Sequence, residues 1–145
     1  MKIKFKKLNP YAITPTKAYQ DDAGYDLYAY NQYTIKPGQT MQIATGIILD
    51  IPKGYYMQIV PRSGLSYKTS LRIPNSPGTV DSGYHGELMV LLQNTATDPF
   101  ESYVVNRGDR IAQMILRRIE NYELEETDCI EESERGDKGF GSSGK

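Results

Sequence analysis

Cysteine, histidine and tryptophan are almost missing from these 145 residues, with one Cys, one His and no Trp, and each shortage removes a class of chemistry. Cys129 has no second cysteine to pair with, which excludes an internal disulfide and any Cys-based metal site. A Ser–His or Cys–His mechanism could run only through His85, and its setting in "GYHGE" reads as a solvated loop residue. No apolar run approaches membrane-spanning length, and no hydrophobic leader follows the basic start "MKIKFKK". Charge of one sign is lacking too. A formal net charge of -1 and a pI near 5.8 argue against the clustered basic face of a nucleic-acid binder. The expectation is an intracellular, cytoplasmic protein with neither nucleic acid nor membrane as partner, in which a few well-placed groups hold any polyanionic ligand.

What is present points to strands. Tyr, Ile, Val and Thr recur in short runs, punctuated by turn signals at Pro37-Gly38, Pro52-Lys53-Gly54, Pro77-Gly78 and Arg107-Gly108-Asp109. The runs "TMQIATGIIL", "YYMQIV", "ELMVLLQN" and "RIAQMILRRI" are period-2 or continuously apolar, without sustained helical periodicity. They predict an all-β domain, a distorted jelly roll or β-barrel, with at most one short helix around "SGLSYKTS". Length allows one domain with a sizeable core, assigned to residues 1–119. Residues 120–134 carry eight carboxylates and no Lys or Arg, the composition of a solvated tether. Residues 135–145 are rich in Gly and Ser and have little to bury, so they read as a flexible C-terminal arm.

Four internal stretches suggest chemistry. "DAGYDLYA" sets Asp26 among apolar residues at the start of a strand, and "PRSGLS" puts Arg62 and Ser63 at a strand end beside Gly64. "NSPGTVDSGYHGE" reads as a hairpin bearing Asn75, Asp81 and Tyr84, and "RGDRIAQMIL" as a turn feeding a strand with Arg110 and Gln113 on opposite parities. Each has an ordinary alternative: an acid tying down a turn, a core tyrosine, a surface arginine. The terminal "GFGSSGK" spells a phosphate loop, yet it lacks the strand before and the helix after that such a loop requires.

In order and spacing, "AGYDLYA", "PRSGLS", "NSPGTVDSGYHGE", "RGDRIAQ" and "RGDKGFGSSG" resemble the five motifs of the trimeric dUTPase family. The matches run from Ala23 to Gly144; Lys138 and Gly83 depart from the family pattern. The resemblance implies hydrolysis of dUTP to dUMP and pyrophosphate by water attack at the α-phosphorus, with Mg²⁺ on the triphosphate and Asp81 as general base. It implies phosphate contacts from Arg62, Ser63, Gly64, Gln113 and Arg135, and a metal held by Asp26 indirectly, through water. It implies a uracil pocket from Asn75, Gly78, Val80 and Met89, with Tyr84 against the deoxyribose. In a homotrimer the terminal arm would close over a site shared between subunits, Phe140 stacking on the base and Gly141, Ser142 and Ser143 meeting the phosphates through a nest of amides that needs no helix. The alternatives are a dCTP deaminase or bifunctional deaminase on the same fold, and a non-catalytic regulatory protein of the same shape.

Overall fold

The computed structural model describes residues 1–139. In chain order the elements are β1 (Lys4–Lys7), β2 (Tyr25–Tyr28), β3 (Tyr33–Ile35), β4 (Thr40–Ala44), β5 (Ile47–Asp50), β6 (Tyr55–Val60), α1 (Ser63–Lys68), β7 (Leu71–Arg72), β8 (Gly78–Asp81), β9 (Met89–Asn94), β10 (Tyr103–Val105) and β11 (Arg110–Arg118). All ladders are antiparallel. One sheet runs β2-β11-β6-β8 and another β4-β9-β7, while β1 pairs with β5 and β10 with β3. The architecture is all-β, an open and distorted jelly roll in which the described strands close no barrel, and the one helix falls within "SGLSYKTS".

Alternation along the strands builds the core. In β6, Met57 and Ile59 turn inward, and in β9 Val90 and Leu92 do, meeting Leu27, Ile35, Ile43, Ile47 and Ile111 in one buried cluster. Each such side chain contributes about 1.5–3 kcal/mol by leaving water.

The next inward position of β9 is polar. Asn94 is fully buried, and its amide is satisfied on every side: Nδ2 donates to the carbonyls of Ile35 (3.0 Å) and Glu101 (2.9 Å), while Oδ1 accepts from Ser70 Oγ (2.7 Å) and Ala96 N (3.0 Å). Four chain segments therefore converge on one side chain, which locks loops to the end of the three-stranded sheet. Asn94→Ala is expected to cost about 3 kcal/mol or more, because it strands several buried partners at once. Chemical denaturation checks this; a loss below about 1 kcal/mol would mean that water replaces the amide.

The segment read as a hairpin is built differently. β8 pairs with β6, Gly78 opposite Ile59 and Asp81 opposite Tyr56, and the chain after Asp81 turns without pairing back onto β8. The turn itself forms, with Tyr84 N donating to Asp81 O at 3.1 Å. Leu88 then pulls the returning limb away: its side chain is buried in the core and its N–H bonds to Ile47 O at 2.7 Å.

Beyond β11, residues 120–138 are exposed, extended and outside any ladder. They present Tyr122, Leu124 and Ile130 to solvent among the eight carboxylates.

Candidate functional site

Residues paired directly across a ladder share a face, as do every second residue along a strand. Asp81 faces Tyr56; Tyr56 is in step with Val60; Val60 faces Gln113, and Gln113 faces Asp26. Asp81, Gln113 and Asp26 therefore lie on one side of the four-stranded sheet, while Met57, Ile59, Leu27 and Met114 lie on its core side. Gly78 and Val80 fall on the core side of β8, and Asn75 packs over Gly78, its Nδ2 3.3 Å from where a Cβ would stand.

Arg110 joins this face against expectation. It is three residues from Gln113, so regular alternation would send the two to opposite sides. A β-bulge between Arg110 and Ala112 inserts one residue, puts Arg110 opposite Tyr28, and so returns it to the side of Asp26 and Gln113. The fully buried Ile111 pins the bulge to the core.

At the centre is Asp26, 5% exposed. Its Oδ1 accepts from Arg62 Nε at 2.8 Å and its Oδ2 from Arg110 Nη1 at 3.3 Å. Arg62 is delivered by the end of β6, and the following Ser63 and Gly64 open α1 with exposed backbone. A carboxylate this buried needs such pairing, since a lone charge out of water costs several kcal/mol. Beside the trio lies a cavity of about 290 Å³ lined by Arg62, Arg110, Asp109 and Tyr103 among others. The Tyr103 phenol is held above its ordinary pKa by burial and then by the charge of Asp109, so it stays a neutral hydroxyl.

A second group stands apart. Asp81 is exposed at the end of β8, and Tyr84 reaches back over the turn, its hydroxyl donating to Glu87 O at 2.9 Å. The ring lies so close over Gly86 that a Cβ there would come 2.5 Å from the phenol oxygen. At about 3.3 Å per residue and about 4.8 Å between strands, Asp81 and Asp26 are about 20 Å apart within one chain. Met89 belongs to neither group, since it opens β9 opposite Ala44 in the other sheet. Arg135 is exposed, its Nε donating to Lys138 O at 3.0 Å. Phe140, Gly141, Ser142 and Ser143 lie outside the described residues.

Among the described residues no cluster of three or more His, Cys, Asp or Glu is able to hold a metal ion, and Asp26 has both oxygens engaged by guanidinium groups. The donor set fits a metal carried mainly by a ligand's phosphates, with Asp26 accepting hydrogen bonds from its waters. No helix among them is long and apolar enough to cross a membrane.

Comparison with known proteins gives a single direction. The dUTPase family model matches residues 10–144. A deoxyuridine 5'-triphosphate nucleotidohydrolase of Solibacter usitatus is 45% identical over 147 residues, covering 100% of this chain and 97% of the relative. The one from Nautilia profundicola is 42% identical over 145 residues, with both chains covered completely. Among solved structures, the Staphylococcus bacteriophage 80alpha dUTPase with dUpNHpp superposes with a TM-score of 0.91 at 33% identity, covering 99% of this chain and 98% of that one. A phage phi11 dUTPase variant, described for coordination of a structural Mg(II) ion, matches with a TM-score of 0.81 at 28% identity over 88% of this chain and 97% of its own.

Proposed function

Because this chain belongs to the dUTPase family, we infer that it hydrolyses dUTP to dUMP and pyrophosphate. The supporting observation is the shared face of the four-stranded sheet, which carries an unencumbered carboxylate, Asp81, at one edge and the paired cations Arg62 and Arg110 at the other. Asp81 accepts a proton from a water whose oxygen bonds to the α-phosphorus as the bond to the bridging oxygen breaks and pyrophosphate leaves. A base of this kind contributes about 10²- to 10⁴-fold. Arg62, Ser63, Gly64, Gln113 and Arg135 bind and orient the phosphate chain, which is most of what phosphoryl transfer asks of a protein. Mg²⁺ on the triphosphate supplies further charge neutralisation, and Asp26 faces it through water.

The reading includes a homotrimer with sites shared between subunits. Two observations favour it: Asp81 and the Asp26 cluster are too far apart to grip one triphosphate within a single chain, and Tyr122 and Leu124 alternate with glutamates on a segment with no partner of its own among the described residues. On this reading residues 1–119 are the catalytic domain, 120–134 the tether and 135–145 the closing arm. Phe140 stacks on uracil, Gly141, Ser142 and Ser143 meet the phosphates, and Asn75, Gly78, Val80 and Met89 frame the base.

Tyr84 covers the sugar. Pinned by the Glu87 carbonyl and the close approach of Gly86, it leaves no slack for a 2′-hydroxyl. Pyrophosphate release is to be measured over dUTP, UTP, dTTP and dCTP, with and without Mg²⁺, and dUTP is expected to stand alone. Turnover of dCTP with release of ammonia would favour the deaminase reading instead, and no turnover of any of them the regulatory one. In the same assay Tyr84→Ala is expected to raise the kcat/KM of UTP relative to dUTP by about 10-fold or more. An unchanged ratio counts against the sugar role.

A further inference from the structure

Arg110 has no part in the reaction as described so far, yet it touches the group at the centre of the site. An arginine meeting a carboxylate alone closes a two-pronged fork on both oxygens. Arg62 does not. It reaches Asp26 Oδ1 through Nε alone, at 2.8 Å, and among the described residues neither of its terminal nitrogens has a protein acceptor. The other prong is blocked, because Oδ2 is taken by Arg110 Nη1 at 3.3 Å. Two guanidinium groups on one carboxylate leave a positive charge in excess at the clamp, and both arginines line the same cavity of about 290 Å³. The third charge on that cavity, Asp109, is turned back into its own loop, where its Oδ2 accepts from Asn106 N at 2.8 Å.

We propose that Arg110 is a positioning residue for the phosphate chain: by occupying one oxygen of Asp26 it restricts Arg62 to a single bond through Nε and keeps the two terminal nitrogens of Arg62 free for the ligand. This rests on the phosphate-binding role of Arg62 given above. Without Arg110, Arg62 closes its fork on Asp26 and turns its terminal donors away from the substrate. The bulge at Arg110 and Ala112 is then a functional feature, since a regular strand would carry Arg110 to the core side.

The test is the affinity for the non-hydrolysable α,β-imido analogue of dUTP, titrated calorimetrically in EDTA so that any metal-linked role of Asp26 is left out. Arg110→Gln is expected to weaken binding by about 10-fold or more in the parent protein. In an Arg62→Gln background it should change it by no more than about 2-fold, because the group it positions is gone. Arg110→Lys, which keeps a cation at Oδ2, should recover affinity to within about 3-fold of the parent. Parent-like binding by Arg110→Gln, or penalties that multiply in full in the double variant, overturns the proposal. A purely structural arginine would give that multiplication. Parent-like binding by Arg62→Gln alone refutes the phosphate role of Arg62, a separate failure that takes this inference with it. Should Arg110→Gln not fold, Asp26→Asn with Arg110→Gln removes the uncompensated buried carboxylate. That variant is expected to bind about 10-fold or more weakly, and parent-like affinity overturns the proposal there as well.

Discussion

Asp81→Asn is expected to lower turnover of dUTP by about 10²-fold or more while the protein stays folded and still binds nucleotide. The amide keeps the shape of the carboxylate but cannot accept the proton of the attacking water. The structure makes this a clean substitution. Asp81 is exposed at the end of β8, its side chain bonds to no described residue, and the turn after it is closed by the backbone, Tyr84 N to Asp81 O. Folding should therefore shift by no more than about 0.5 kcal/mol, the usual range for surface changes away from special features. Steady-state release of pyrophosphate, set beside the thermal unfolding curve, decides the matter. Turnover within about 3-fold of the parent would remove Asp81 from the role of base.

Removal of residues 135–145 is expected to be nearly as damaging to activity and even less so to stability. From Arg135 to Lys138 the chain is exposed, and Arg135 bonds only within its own turn, to Lys138 O. Little in the core notices its loss. Function is another matter if this segment closes over the nucleotide. Ordering it costs roughly 1–2 kcal/mol of backbone entropy per residue. Stacking of Phe140 on the base, worth about 1–3 kcal/mol in comparable contacts, helps offset that cost, together with charge-assisted bonds from Arg135 to phosphate. Losing these should reduce kcat/KM by about 10²-fold. The companion measurement is limited proteolysis after Arg135 and Lys138 with and without the imido analogue. Equal cleavage in both conditions, or a truncated enzyme of near-parent activity, would rule out a closing arm.

Much of this was legible in the chain itself because local physics leaves local marks. Alternating apolar residues in "YYMQIV" and "ELMVLLQN" become inward rows of β6 and β9, since a strand repeats every two residues and one face must leave water. Pro and Gly mark turns at Pro52-Lys53-Gly54 and Arg107-Gly108-Asp109, where Gly54 and Gly108 adopt the positive φ that other residues avoid. The buried strand acid Asp26, the helix at "SGLSYKTS" and the motif series from Ala23 to Gly144 also stand in the linear order, and the series carries the family.

What the linear order could not carry depends on partners far along the chain. β8 pairs with β6 and not with its own returning limb, because Leu88 finds a place in the core and a backbone partner in Ile47. Asn94 sits in an apolar run and looks like its polar end, yet four separate segments supply its bonds. A parity count put Arg110 and Gln113 on opposite faces; one extra residue in β11 relative to β2 reverses that, and a bulge exists only where two strands are matched against each other. Residue types and their order thus marked the strands, the turns and the chemistry on offer. Which groups meet, Arg62 and Arg110 on Asp26 with Asp81 held about 20 Å away, was set by ladder register and core packing, because charges on distant segments interact only once burial of the apolar rows has brought those segments together.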